Sequence, residues 1–591
     1  MAVTKSGQNN LTSPDGNGLA LFVDITDSIL KVKDINGNTE TVNSYVNRDV
    51  NVGVLSMIPS TSPLPEEGVN YVGDQNGTYS GLLLGTGYLA AFGYGGTIEQ
   101  NSTAFGLNAL SSTGLIFTEM GNTAFGYEAM LQVGSGVNDM ATYNTAVGYK
   151  ALSGFPEQGY TQQYNVAIGA RALEYARNDS NHVAIGYQAL NSPNSSQNNV
   201  AIGYRAAVAL NGNDNVVIGK EALKLSNASS NVVIGNQALT NATGATNSVV
   251  VGANAAANMT SLGNSVVVGT EAMYNAGTGR SEMVAVGYQA LYNGGINGDI
   301  AIGYQALYSK TTGGGGSISP EIAIGYHALY SNNIGGNNIA IGLLAMENST
   351  IGANNIAIGS YALKEYNGAD TIAIGEYCAY QLTAGTNNIF FGQNVGTSLA
   401  TCEGSIGIGN YALSGLEAAS SQGNIAIGYA ALQGIQDVQD CIAIGVNSLL
   451  NNLTSWGNTA IGFESLNSLE SGIGYNVALG YQAALNLTTG VQNVYAGASV
   501  TSSIDSSNNV VVGHAAVGTG SDNTIVGQGA SSGGFSGSVV LGRSAVATAN
   551  NQFVVGSTGT PVGTVATETV TSDRSWSVRI NGTAYKILLK A

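Results

Sequence analysis

The sequence predicts an all-β solenoid, and three observations carry that reading. A short apolar phrase closed by glycine recurs in register from Gly106 to Gly556. The phrase is β-branched and too short to be a helix. The composition is rich in glycine without being that of a disordered or collagen-like chain, with Gly 83 of 591 residues, Pro only 8, hydrophobic residues 44% and charged residues 9%.

The elements follow in chain order. Residues 1–45 contain "LALFVDITDSILKVKDINGNTETV", which alternates apolar and polar around Asp27 and Asn36-Gly37 and reads as a small β-meander. Residues 46–100 hold Pro59, Pro63 and Pro65 and the glycine-rich "GTGYLAAFGYGG", a neck with one degenerate rung at Gly93. Residues 101–556 are the repeat region of about 27 rungs, most of them 16 or 17 residues apart, with longer units between Gly106 and Gly169 and 14- or 15-residue units at the end. Residues 557–591 close with two alternating runs on either side of Asn581-Gly582, a hairpin suited to cap the last edge of a solenoid.

Each repeat unit reads Asn, an apolar triplet, Gly, then x-x-Ala-Leu and a polar stretch. In triplets such as Val183-Ala184-Ile185 the first and third residues share one face and the middle residue takes the other. Both faces are apolar, so both are expected to be covered. The expectation is that Val and Ile fill the coil while the Ala face meets another copy of the chain. The glycine suits a corner that needs positive φ or has no room for a Cβ. The preceding asparagine suits a stacked ladder. The Ala-Leu segment, as in "YQAL", is expected to be a second strand or a single turn. At about 4.8 Å per rung the repeats predict a rod of roughly 130 Å.

The unit N-x-V-A-I-G-x-x-A resembles the head repeat of trimeric autotransporter adhesins, and "HAAVGTGSDNTIVG" (His514 to Gly527) matches its length. The longer units, such as NNVAIGYRAA and GDIAIGYQAL, also resemble repeats of bacteriophage tail fibres. The resemblance spans residues 101–556 and implies an elongated left-handed parallel β-roll in which three chains pack side by side. The adhesins also carry a secretion signal, a coiled-coil stalk and a membrane anchor, and none is recognised here. Many such phage fibres end in a self-cleaving chaperone domain, which Ser572-Asp573-Arg574 resembles only at its opening. The resemblance therefore implies a structural virion fibre, made in the bacterial cytoplasm and attached to the particle through its N-terminal region. It would contact a host surface glycan or protein. A capsid-attached head fibre, a bacterial adhesin and a polysaccharide depolymerase are the competing readings.

Charge and composition bound the chemistry. A net charge of −18 argues against nucleic acid as partner. No apolar stretch reaches the length of a spanning helix, so no membrane insertion is expected, and the opening residues contain no Sec-type signal. Cys378 occupies an alanine slot, which suits a small buried hydrophobe, while Cys441 takes an asparagine slot and Cys402 a loop; the three make neither a disulfide framework nor a zinc site. His182, His327 and His514 are isolated in sequence, and the 36 carboxylates are scattered, so no catalytic residue, metal site or cofactor is expected. Tyrosine is the exception, with 30 residues. Tyr187, Tyr204, Tyr288, Tyr304 and Tyr326 directly follow marker glycines and predict columns on one face. Tyr143, Tyr160 and Tyr164 lie in the surplus segments Gln132 to Tyr143 and Ser153 to Tyr164, expected to bulge as loops. These eight tyrosines are the candidate receptor contacts.

Overall fold

The computed structural model describes residues 102–559 apart from 107, 111–120, 132–139, 155–160, 178, 311–318, 333–334, 471–473 and 558. Beyond them it gives the backbone of the strands Ala20–Val23, Leu30–Lys33, Thr39–Thr41, Ala91–Phe92, Arg574–Ile580 and Thr583–Leu589. Every regular element among the described residues is a β-strand. The chain divides into two compact units, Met1–Ile351 and Gly352–Ala591.

Both units are parallel β-solenoids. In the first, one three-residue strand precedes each marker glycine from Gly106 to Gly342, beginning with Thr103–Phe105 and ending with Ile339–Ile341. In the second, the strands run from Ile356–Ile358, before Gly359, to Phe553–Val555, before Gly556. Successive strands pair in parallel and strictly in register: Val183 faces Val200, Ala184 faces Ala201 and Ile185 faces Ile202. The identical apolar triplet in each unit fixes that register, because a one-residue slip would turn every side chain to the other face.

The structure reverses the expected sides of the triplet. The middle residue points into the coil and is fully buried in rung after rung (Ala184, Ala201, Val217, Val233), while the first and third stand outward and remain partly exposed. The cause is the width of the coil. Ala189 and Leu190 of the following turn are also fully buried, and the space opposite a leucine in so narrow a section admits an alanine or valine. Parity was legible in the sequence, but the identity of the inner face depends on this opposition. The outward Val and Ile side chains form a continuous apolar ladder on each unit.

The corner glycines meet both requirements placed on them. Gly186 sits at φ +131, and a Cβ there would lie 2.5 Å from the carbonyl oxygen of Gly203 in the next rung. The Ala-Leu segment is a pair of tight turns and not a strand: Gln188 and Leu190 take φ of 53 and 46. A leucine in that region costs about 1 kcal/mol. Burial of its side chain and the bond from its N–H to Ala206 O at 2.9 Å offset the cost.

The asparagine ladder is present. Asn165 N–H donates to Asn144 Oδ1, and Asn215 N–H to Asn199 Oδ1, each at 2.9 Å. The amide nitrogens reach across to carbonyls of the same coil, as Asn199 Nδ2 does to Gly212 O at 2.8 Å. These bonds satisfy polar backbone that the coil would otherwise bury without partners.

Part of the polar stretches is ordered into further short ladders, such as Gly244–Thr246 with Ser261–Gly263 and Ala384–Thr386 with Leu399–Glu403. The surplus segments follow the same rule. Met140–Thr142 pairs in parallel with Thr161–Gln163, so these ends are strand and not loop, while 132–139 and 155–160 lie outside the described residues. At the termini, Ala20–Val23, Leu30–Lys33 and Thr39–Thr41 form an antiparallel sheet, and Arg574–Ile580 pairs with Thr583–Leu589 as a hairpin with Trp576 opposite Ile587. Ala91–Phe92 pairs with the first rung where a degenerate turn was expected, although Gly93 itself lies outside the described residues.

Candidate functional site

The tyrosines stack where the repeat places them. A residue one step beyond the marker glycine leaves the corner pointing outward, and equivalent positions superpose from rung to rung. Tyr187 and Tyr204 lie with ring centroids 5.4 Å apart, Tyr288 and Tyr304 at 5.2 Å, and Tyr304 and Tyr326 at 5.1 Å, all near-parallel. These five rings are exposed. Tyr143 and Tyr164 stack at 5.4 Å, also exposed, at the turn into their strands. The candidate Tyr160 lies outside the described residues. The seven described candidates therefore do not form one patch: the structure brings them together as separate stacks.

A second column was missed in the sequence. Tyr274, Tyr292, Tyr308 and Tyr330 stack at 5.4, 5.0 and 5.1 Å. Its signal was there, because four consecutive units read Ala-Met-Tyr or Ala-Leu-Tyr. Burial against neighbouring rungs holds the Tyr292 and Tyr308 phenols above the usual tyrosine range, with the Glu271 carboxylate and neighbouring tyrosines pushing the same way.

A polar relay accompanies the two columns. Gln289 Nε2 donates to Glu271 Oε2 at 2.7 Å, and Gln305 Nε2 donates to Gln289 Oε1 at 2.6 Å. Gln305 Oε1 then lies 2.8 Å from His327 Nε2, and His327 Nδ1 lies 3.3 Å from Glu347 Oε1. Because Gln305 presents its carbonyl oxygen, Nε2 of His327 is the nitrogen that carries a proton toward it. The imidazole sits 4.1 Å from the Tyr326 ring and 4.5 Å from that of Tyr330, joining the columns. The result is a half-exposed face of flat rings bordered by amide, imidazole and carboxylate groups. Such a face offers apolar planes and hydrogen-bonding groups together, the pairing that a polyhydroxylated ligand requires.

The other polar clusters are internal. His182 takes the asparagine slot: Nδ1 accepts the Asn199 N–H at 3.1 Å, so Nε2 is the protonated nitrogen and faces Ser196 Oγ at 3.2 Å. Ser196 Oγ donates to Asp179 Oδ1 at 3.0 Å. All three residues are fully buried. The set has the residue types of a hydrolase triad, but no imidazole lone pair faces the hydroxyl, so the cluster is a structural bridge between rungs. Cys378, Cys402 and Cys441 are free and buried. The structure places Cys402 in the strand Leu399–Glu403 and not in a loop.

Among the described residues no group of three or more His, Cys, Asp or Glu is arranged to hold a metal ion, and no helix is long and apolar enough to cross a membrane. No protein-family model matches the chain, and no curated protein matches it.

Proposed function

We propose that the chain is a structural fibre protein of a bacteriophage virion, assembled as a homotrimer of left-handed β-rolls and contacting the host cell surface. The observation that carries the reading is the outward apolar ladder. Residues such as Val249, Val266 and Ile302 in the first unit, and Val510, Val512 and Val526 in the second, present exposed β-branched side chains, and the third position of each rung is apolar throughout. A contiguous apolar strip of this kind marks an association surface, and identical strips on three copies would cover one another about a threefold axis. The N-terminal region attaches the trimer to other virion proteins. The tyrosine columns with the Glu271–Glu347 relay supply a repeated surface for weak, polyvalent contact with a host glycan or protein, where three copies give avidity.

Sedimentation of the purified chain tests the assembly: three copies per particle are expected, and a compact monomer would overturn the trimer. Immunogold labelling of phage particles tests the rest. Label on the tail is the expected outcome. Label on the capsid would make the chain a head fibre, and label on bacterial envelopes without phage would make it an adhesin. Release of fragments from host polysaccharide by the purified protein would replace a structural fibre with a depolymerase.

A further inference from the structure

One rung interior of the first unit holds three ionisable side chains where its neighbours hold neutral ones. Asp299 and Glu321 occupy successive asparagine slots, before the strands Ile300–Ile302 and Ile322–Ile324, and Lys310 reaches in between them from the turn. All three side chains are fully buried. Lys310 Nζ donates to Asp299 Oδ1 at 2.9 Å and lies 3.4 Å from Glu321 Oε2. The other oxygens are committed. Asp299 Oδ1 also accepts the Glu321 backbone N–H at 2.9 Å and Asp299 Oδ2 accepts the Ile296 N–H at 2.7 Å. Glu321 Oε1 accepts Asn332 Nδ2 and Asn338 Nδ2, each at 2.8 Å. Glu321 Oε2 accepts no hydrogen bond and faces only the ammonium.

We infer that Lys310 and Asp299 condense into an intramolecular isopeptide bond, with Glu321 as the catalytic proton carrier. Glu321 Oε2 takes a proton from Lys310 Nζ, and the freed nitrogen pair bonds to Asp299 Cγ. Oδ1 stays as the amide oxygen, held by the Glu321 N–H. The Cγ–Oδ2 bond breaks, and Oδ2 departs as water with the proton returned by Glu321 and a second proton from Nζ. One proton remains on the amide nitrogen, Glu321 is regenerated, and no oxidant, metal or co-reactant enters.

Burial supplies the driving force. In water this condensation runs backwards, because both ions are hydrated and water is in excess. Within the coil the ions have lost that hydration, and fixed neighbours hold the reacting groups together. A Cβ on Gly295 would meet Met283, Leu291 and Asp299 Oδ2, so apolar side chains wall the carboxylate. Desolvation raises both carboxyls, Glu321 to about 7, a value suited to taking and returning a proton near neutrality. Condensation replaces two buried charges with one neutral amide.

The intact mass of the denatured full-length chain tests this. A mass one water molecule below that of the sequence is expected, together with loss of tryptic cleavage after Lys310 and a fragment joined between residues 299 and 310. The full sequence mass with normal cleavage after Lys310 would overturn the proposal. In Glu321→Gln the water is expected to be retained, with the circular dichroism of the wild-type coil. Loss of water in that variant would overturn the role given to Glu321.

Discussion

The carbonyl oxygen of Gly203 occupies the space that a Cβ on Gly186 would need, 2.5 Å away, and Gly186 itself sits at φ +131. Gly404 is the counter-example: its φ is +61 and no atom lies within 4 Å of its missing Cβ. Gly186→Ala must therefore push two rungs apart, whereas Gly404→Ala bears only the left-handed backbone cost. Thermal or denaturant unfolding is expected to place the first at roughly 3 kcal/mol or more and the second at about 1 kcal/mol. Equal losses would contradict the packing described.

Phe390 stands in an inner slot usually held by alanine, and the next rung answers it with Gly407. A Cβ on Gly407 would lie 2.7 Å from Val395 Cγ1 and 3.2 Å from Phe390 Cδ1. Gly407→Ala is expected to cost about 1–3 kcal/mol through overpacking. Phe390→Ala is expected to cost about 3–5 kcal/mol. Combined, they should cost less than their sum, and strict additivity in a double-mutant cycle would show that the two positions are not complementary.

Glu321 gives the stability a pH dependence of defined sign. Its carboxyl rises from the ordinary 4.5 to about 7 in the folded chain, so the folded state binds the proton more tightly than the unfolded state. Its stabilising contribution is complete below pH ~4.5 and is lost as pH rises through ~7. The full effect is about 3 kcal/mol at most. Melting temperatures across this window are expected to fall with rising pH in the wild type, and to fall less in Glu321→Gln. An identical slope in both would remove Glu321 as the source.

Burial pushes the three thiols up, Cys402 and Cys441 to about 11 and Cys378 further. Since the thiolate is the reacting form, none should be alkylated by iodoacetamide in the folded protein, and all three should react after denaturation. Rapid labelling of the native chain would show an opening of the coil that these positions do not predict.

Much of this was legible because the repeat is a local code. The glycine corners, the asparagine ladder, the in-register triplets and the Tyr288–Tyr304–Tyr326 stack each depend on what recurs at a fixed step. Stacking of equal rungs then turns sequence period into spatial neighbourhood. The repeat also marked the Ala-Leu segment as too short for a helix, although only the backbone settled that it is a double turn with Leu190 at positive φ.

What the sequence by itself determined is the parallel coil, its register and the parity of each triplet. Three choices needed the tertiary structure. Which face of Val183-Ala184-Ile185 lies inside depends on the leucine across the coil, a relation no triplet contains. The second tyrosine column and the relay through His327 depend on residues 16 to 22 apart arriving on one surface. The meeting of Asp299, Lys310 and Glu321 depends on the same closure: each reads alone as an ordinary charged residue in a polar stretch, and only the wound chain removes their water and leaves them facing one another.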